Sequence, residues 1–178
     1  MQNDSTMYLI ERLSALHRNL MRRFAAEEGL QFVHIEILHY LSLCNHYSDT
    51  TQAISDYLGQ TKGSISQSVG HLETNNFIKR FQDKKDKRVF HLSLTAKGFL
   101  VSERLNEGIN LQNSVKQDSS LQSVLNAFQK KNGMKSFGIC STCKHNQSPG
   151  GDTFICGLTN EKLSNEDITK ICREHEAG

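Results

Sequence analysis

The sequence predicts a mainly α-helical protein with one small β-hairpin and a short cysteine-rich segment at its C-terminal end. Three observations predict this class. Apolar residues recur at spacings of three and four through most of the first 133 residues, as on one face of a helix. Two alternating stretches flank the basic turn QDKKDKR, as in a hairpin. Four of the five cysteines follow residue 134.

The composition fits a folded protein of one main domain with a small appendage. The chain has 178 residues, of which 37% are apolar, with no Trp and a single Pro. The formal net charge of +2 is too small to indicate a partner, so only the local distribution of charge is informative. The N-terminal residues lack a signal-peptide pattern, and no apolar stretch is long enough to span a membrane. We therefore expect a cytoplasmic protein without membrane contacts.

Two helices are predicted before residue 44. The first covers residues 5–28, ends at Gly29, and has one apolar face formed by Leu9, Leu13, Leu16, Leu20 and Phe24. The stretch FVHIEILHYLSL at 32–43 is too mixed for strand alternation and predicts a buried helix. Cys44 follows this apolar stretch, and we interpret it as a small core residue.

A pair of short helices separated by a glycine turn comes next. Thr50 or Thr51 can cap the first, and Gly59 can end it in the left-handed conformation. Thr61 can cap the second, whose apolar stripe consists of Ile65, Val69 and Leu72. The outer face of that second helix is small and polar. This arrangement is typical of a helix-turn-helix.

The hairpin follows directly and is itself followed by helices. The pattern predicts two strands, at residues 77–81 and 89–94, on either side of the basic turn. Thr95 can cap a helix over about 96–115, and a further helix from residue 118 or 119 to Gly133 carries the apolar residues Leu121, Val124, Leu125 and Phe128. We place the domain boundary here, with a helical domain at 1–133 and a cysteine segment at 134–178.

The order of these elements resembles the MarR family of winged helix-turn-helix regulators over roughly residues 7–130. The stretch DKRVFHLSLTAKG at 86–98 carries the most specific part of the resemblance. It fits the pattern D-x-R-x-x-x-L-x-L-T-x-x-G of the family's second wing strand through Asp86, Arg88, Leu92, Leu94, Thr95 and Gly98. The resemblance implies a winged-helix fold, binding of double-stranded DNA, and a homodimer joined through its N- and C-terminal helices.

The second helix and the hairpin tip supply the candidate DNA contacts. A helix with a small polar face suits the major groove, and a basic hairpin tip suits the adjacent minor groove or the phosphates. On the helix we assign Lys62 to a phosphate and the remaining contacts to Ser64, Ser66, Gln67 and His71. On the wing the candidates are Lys84, Lys85, Lys87 and Arg88. Asp86 would orient Arg88, because its charge is repelled by phosphate.

Several features of the sequence depart from the pattern expected of a DNA-contacting helix and wing, or allow another interpretation. A run such as DKKDKR taken alone is usually a solvated turn. Family members often have Arg or Lys where this chain has Gln67 and His71, which weakens direct guanine readout. Gly63 and Gly70 lower helix propensity, which indicates close approach of the backbone to DNA or a helix ordered by binding. Asn76 replaces a glycine before the first wing strand, and Asn tolerates positive φ.

The apolar faces of residues 9–24 and 121–128 could form the interface of the implied homodimer. Each could equally be buried within one chain. A dimer would read a pseudo-palindromic operator with half-sites about one helical turn apart.

The C-terminal segment has the spacing C-x2-C-x12-C-x15-C, formed by Cys140, Cys143, Cys156 and Cys172. In a reducing compartment such a cluster predicts a metal site, and a segment with so few apolar residues needs one to fold. The alternative is a disordered tail with incidental thiols. Zn2+ is the first expectation, although the wide spacing of the last two cysteines also suits a [4Fe-4S] cluster. His145 and His175 could replace a ligand or be ordinary surface residues.

These features predict a transcriptional regulator, which we expect to be a repressor, with a metal site that stabilises it or senses metal or redox state. Attached to the final helices, such a site could alter half-site separation in a dimer. The alternative is an iron-sulfur redox or accessory protein that uses its winged helix for protein contacts. The sequence has no G-x-S-x-G, H-E-x-x-H or phosphate-binding glycine loop, so we do not expect an enzyme.

Overall fold

The fold is mainly helical, with one hairpin after the fourth helix and short strands near the C-terminus. The computed structural model describes residues 5–84, 86–109, 121, 137–150 and 153–176. Over these residues the helices are α1 (Ser5–Glu27), α2 (Phe32–Leu43), α3 (Thr51–Leu58), α4 (Lys62–Thr74) and α5 (Ala96–Ile109). The strands are β1 (Ile78–Gln82), β2 (Phe90–Leu94), β3 (Gly138–Ile139), β4 (Asn146–Gly150), β5 (Thr153–Cys156), β6 (Glu161–Leu163) and β7 (Ile171–Cys172).

Caps confirm the predicted end of α1, both predicted ends of α3 and the predicted start of α4. Gly29 follows α1 with a φ of 67°, and Gly59 ends α3 with a φ of 63°. The Thr50 hydroxyl accepts a hydrogen bond from the Ala53 amide at 3.2 Å and thereby starts α3. Thr61 caps α4 in the same way by accepting from the Ser64 amide at 3.3 Å. Short polar residues and glycines thus set the geometry of the helix-turn-helix.

Helix α2 lies at the centre of the core. It packs against α1, α3, α4, α5 and β2. The core contains four buried side chains of α2, namely Ile35, Ile37, Leu38 and Tyr40. They are joined by Ile54 of α3, Ile65 and Leu72 of α4, Leu92 of β2 and Leu105 of α5. Cys44 belongs to the same core and is 9% exposed, which confirms its predicted place. The hydrophobic core therefore holds the helix-turn-helix and the hairpin on one rigid base.

The hairpin is a two-stranded antiparallel sheet whose base is fixed by the L-T-x-x-G stretch. Its register runs from Ile78 opposite Leu94 to Gln82 opposite Phe90. The Thr95 hydroxyl donates to the carbonyl oxygens of Asn76 and Phe77 and accepts from the Gly98 amide at 3.2 Å. Asn76 adopts the positive φ expected of it, at 58°.

The C-terminal segment contains two small antiparallel sheets that the sequence patterns did not indicate. Strands β4, β5 and β6 form one sheet, and β3 pairs with β7 in the other. Phe137 packs its ring on Tyr40 and Tyr57, so this segment rests on the helical domain. The predicted domain boundary lies outside the described residues. The same holds for the predicted helix at 118–133 except Leu121, which is helical. None of the helices described is long and apolar enough to cross a membrane.

Candidate nucleic-acid interface and four-cysteine cavity

The second helix of the helix-turn-helix, α4, presents the predicted polar face to solvent. Its buried side consists of Ile65, Ser68, Val69 and Leu72. The five residues assigned to DNA on this helix are all exposed, namely Lys62, Ser64, Ser66, Gln67 and His71. Gln67 lies near the centre of the outer face, while Lys62 and Ser64 lie towards its edges. The structure therefore leaves this face free to enter a groove.

Two glycines make the outer face of α4 unusually flat. A Cβ atom added at Gly63 or Gly70 would meet no atom within 4 Å, so the fold itself does not require a glycine at either position. Neither residue has a positive φ. Because glycine costs a helix about 0.5–1 kcal/mol relative to alanine, the two glycines are unfavourable for the free protein. Close approach of the α4 backbone to a partner would account for them.

We expect Gly70→Ala to stabilise the free protein and to weaken its binding to DNA. The helix should gain about 0.5–1 kcal/mol in the free energy of unfolding. The added methyl group would hold the helix away from the groove and weaken DNA binding by about tenfold. Denaturant unfolding and fluorescence anisotropy with a duplex selected by the protein from a random-sequence pool measure the two effects.

Gly108→Ala is the matched control, because Gly108 also lies in a helix and a Cβ atom there would meet no described atom within 4 Å. Gly108 borders the groove lined by Leu20, Phe24 and Leu105, so the oligomeric state of each protein is measured as well. With the wild-type oligomeric state, the control should stabilise the protein similarly and leave DNA affinity unchanged. Equal affinities of all three proteins would show that the glycines of α4 do not face DNA.

His71 is held by its own chain as well as being exposed. Its ring stacks on that of His34 in α2, with centroids 4.5 Å apart and planes 7° from parallel. The Asn75 side-chain amide lies 3.3 Å from its Nε2. Burial, and then the neighbouring His71, lower the pKa of His34. This stack joins the end of α4 to the core helix and fixes one edge of the outer face.

The tip of the hairpin carries the predicted cations. Lys84, Lys87 and Arg88 are exposed, and Lys85 lies outside the described residues. The Arg88 guanidinium donates to both carboxylate oxygens of Asp86, at 3.0 Å from Nε and 2.9 Å from NH2. This hydrogen bond lowers the pKa of the Asp86 carboxyl. Asp86 therefore orients the Arg88 side chain, which is 90% exposed, as the sequence predicted.

The end of the wing strands nearest the tip is anchored by residues that sequence reasoning missed. His91 of β2 lies between two carboxylates, bonded through Nδ1 to Asp49 and through Nε2 to Asp83 at 3.2 Å. Burial lowers the pKa of His91, but the bonds and charges of Asp49 and then Asp83 outweigh it and raise the pKa overall. Asp49 is 42 positions away in the chain, so no local spacing could have indicated this pair.

The four cysteines of the C-terminal segment line one cavity. Cys140 and Cys143 bound a 3-10 turn, Cys156 ends β5, and Cys172 ends β7. The cavity has a volume of about 50 Å³. Its wall also includes Asn45 and Tyr47, which come from the connection between α2 and α3, and the side chains of His145, Asn146, Leu158, Thr159, Leu163 and Glu174. Residues far apart in the sequence thus converge on one small space.

The cysteines influence one another electrostatically. Burial, followed by the nearby Cys172, Cys143 and Cys156, raises the pKa of the Cys140 thiol to about 11. A cation in the cavity would counter this effect, because it favours thiolates. Within the part of the chain that the structure describes, no three His, Cys, Asp or Glu side chains form a ready-made site for one metal ion. The four thiols line the cavity but are not arranged around one ion position.

The two histidines of this segment have different surroundings. His145 lines the cavity, and its Nε2 lies 3.0 Å from a carboxylate oxygen of Glu176. His175 is buried, and its Nε2 lies 3.0 Å from the Thr142 hydroxyl. Any side chain at Gly138 would overlap the His175 ring, so that ring is packed into the fold. His175 is not at the surface, and His145 stands beside the cysteines.

Comparison with known proteins agrees with this architecture. The model of a family described as "Winged helix DNA-binding domain" matches residues 30–98, which span α2 to the start of α5. No curated protein sequence matches the chain.

Solved structures with the same fold include the following proteins. The transcriptional regulator of the MarR family from Silicibacter pomeroyi has a TM-score of 0.58 at 19% identity, over 71% of this chain and 88% of that one. CouR from Rhodococcus jostii RHA1, bound to p-coumaroyl-CoA, has a TM-score of 0.56 at 15% identity, over 74% and 94%. A MepR–DNA complex from S. aureus has a TM-score of 0.50 at 18% identity, over 72% and 97%.

The described elements and these matches show a winged-helix fold. At these identities the similar structures show the fold alone. The fold that the resemblance to the MarR family implied is therefore confirmed.

Proposed function

We propose that the protein is a MarR-type transcriptional regulator that binds an operator with α4 and the wing and acts as a repressor. The observation that carries this proposal is the joint exposure of the polar face of α4 and the cationic tip of the hairpin on one rigid core. One solved structure with this fold is named as a transcriptional regulator, and another is a complex with DNA. Lys62, Ser64, Ser66, Gln67, His71, Lys84, Lys85, Lys87 and Arg88 are the proposed contacts.

We also propose a homodimer that reads a pseudo-palindromic operator. The apolar side chains of α1 are exposed on the single chain, with Leu13, Leu16 and Leu20 at 54%, 44% and 47%. Leu20 and Phe24 border a groove together with Leu105 of α5. Exposed leucines in a row favour burial against a partner, and a second copy would offer the same surface.

The third part of the proposal is a metal centre held by Cys140, Cys143, Cys156 and Cys172, which stabilises the segment or senses metal or redox state. Four thiols around one cavity are a donor set for Zn2+ or for a [4Fe-4S] cluster. Zn2+ would require sulfurs about 3.8 Å apart, because each Zn–S bond is about 2.3 Å long. The cavity of about 50 Å³ exceeds the space that a single water needs, about 10–15 Å³. The cavity thus has room for an ion, and we propose Zn2+ first, with the cluster as the alternative.

Replacing Arg88 tests the DNA-binding function. We expect Arg88→Ala to weaken binding to a duplex selected from a random-sequence pool by about tenfold, because an exposed guanidinium oriented by Asp86 is lost. The slope of log affinity against log salt should fall by about one per protomer, since one phosphate or groove contact disappears. Anisotropy titrations at several salt concentrations measure both quantities.

Arg104→Ala is the matched control. Arg104 lies on α5, is half exposed, and pairs with Glu28, so its removal changes the net charge equally outside α4 and the wing. It should leave affinity and salt slope close to wild type. If Arg88→Ala behaved like this control, the winged helix would have to serve protein contacts, as in an iron-sulfur accessory protein.

A further inference from the structure

The connection between α2 and α3, residues 44–50, is shared by the cysteine cavity and the DNA-binding elements. We call it the connecting segment. Its polar residues Asn45, Ser48 and Asp49 are almost fully buried, at 4%, 0% and 8% exposure. Buried polar groups must be hydrogen-bonded, and losing a partner costs about 1–3 kcal/mol each. The partners of this segment therefore decide its conformation.

One set of partners comes from residues next to the cysteines. The Asn45 amide donates to the Ile171 carbonyl oxygen at 3.0 Å, and the Arg173 amide donates to the Ser48 hydroxyl at 2.9 Å. Ile171 and Arg173 are the two neighbours of Cys172 in the chain. A group bound to Cys172 would therefore also hold Ile171 and Arg173 in position for these two hydrogen bonds.

A second tie comes from the strand that follows Cys156. The Tyr47 hydroxyl donates to a carboxylate oxygen of Glu161 at 2.5 Å. Glu161 lies directly opposite Cys156 in the β5–β6 pair. Tyr47 and Asn45 also line the cavity itself. Both of the widely spaced cysteines are thus tied to the connecting segment.

The other end of the connecting segment holds the DNA-binding elements. The Asp49 carbonyl oxygen accepts from the Leu92 amide at 2.8 Å, and its carboxylate is bonded to His91, so Asp49 anchors the wing. Thr50 caps α3. In addition, the Arg173 side chain forms an ion pair with Asp56 of α3, 2.7 Å from Nε. The same few residues therefore contact the cavity, the helix-turn-helix and the wing.

We propose that occupancy of the four-cysteine cavity is transmitted through the connecting segment to α3 and the wing, and that the occupied form binds DNA more tightly. This inference depends on the proposed function, and it names how that site is regulated. The described contacts lead from the cysteines to the helix-turn-helix of the same chain. Regulation by this path changes the orientation of α3 and the wing within each protomer and needs no change in the spacing of two half-sites.

The test compares full-length protein with its metal centre intact and after removal of the centre by a chelator. In wild type, removal should weaken binding to a duplex selected from a random-sequence pool by about tenfold, which is typical of coupling between two sites. It should also speed hydrogen exchange of the Leu92 amide, which reports the bond to Asp49 without any DNA.

The double variant Ser48→Ala/Asp56→Ala removes the bonds that Arg173 makes to the connecting segment and to α3. Its metal content should equal that of wild type, while the ratio of the two affinities falls towards one. The matched control is Ser42→Ala/Glu28→Ala. The Ser42 hydroxyl donates to the His39 carbonyl oxygen of its own helix, and Glu28 pairs with Arg104 of α5, so the control should keep the wild-type ratio.

Two results would overturn the coupling while leaving the proposed function intact. One is a wild-type protein that holds metal and binds DNA with equal affinity before and after metal removal, with unchanged exchange at Leu92. The other is a wild-type ratio both in the double variant and after Tyr47→Phe is added to it, which also removes the tie to Glu161. A chain that holds no metal, or binds no DNA in any form, would instead contradict the proposed function.

Discussion

Cys172→Ser should abolish metal binding and release the C-terminal segment from the helical domain. Protein purified without oxygen should carry metal in the wild type and none in the variant; one zinc per chain would identify a mononuclear site, and iron with sulfide would identify a cluster. Metal binding to such small segments is worth about 10–16 kcal/mol in model peptides, so its loss leaves the two small sheets with little support. Limited proteolysis, read by mass spectrometry, should show cleavage between residues 137 and 176 only in the variant.

Cys44→Ser is the matched control for this experiment. Cys44 is buried in the helical core, where burial first and then Asp49 raise the pKa of its thiol to about 12. It does not line the cavity. The control should lower stability modestly through its buried hydroxyl and keep a full complement of metal. A Cys172→Ser protein with wild-type metal content and proteolytic pattern would show that the cysteines hold no metal centre.

Gly98→Ala, at the start of α5 and against the base of the hairpin, should strongly destabilise the protein. A Cβ atom at this position would overlap the carbonyl oxygen of Phe77, which is backbone and cannot turn away. The same carbonyl oxygen accepts from the Thr95 amide and hydroxyl, so moving it disturbs the base of the hairpin. We expect a loss of about 2–4 kcal/mol in the free energy of unfolding, measured by denaturant titration.

Gly108→Ala again serves as the control, because it makes the same change in the same helix with open space around the new methyl group. It should raise stability by about 0.5–1 kcal/mol. If the two variants were equally stable, the close approach of α5 to Phe77 would not constrain this position. The comparison therefore separates steric overlap from helix propensity.

Local chemistry explains why so much of the helical domain could be predicted. The ends of α1, α3 and α4 are set by Gly29, Thr50, Gly59 and Thr61, and each acts through bonds or dihedral angles within a few residues. The L-T-x-x-G stretch has a similarly local reason, since Thr95 caps α5 and Gly98 leaves room for Phe77. Such signals are visible in a single sequence.

The features that could not be predicted depend on contacts between distant parts of the chain. The anchoring of His91 by Asp49 has no periodic signal, and the short strands β3 to β7 are too brief for alternation to show. The four cysteines could be singled out by their spacing alone. That they face Asn45 and Tyr47 of the connecting segment could not, because only the folded chain brings them together.

The ties between the cysteine segment and the helical domain also set an order of assembly. They join residues 114, 125 and 128 positions apart, which are among the most non-local bonds in the described structure. Synthesis from the N-terminus completes α1 to α5 before these partners exist, and domains generally fold as they emerge. Docking of the C-terminal segment is therefore the last folding step. A newly made chain would possess its DNA-binding fold before its cysteine cavity closes, and maturation of the cavity would determine when the regulator becomes fully competent.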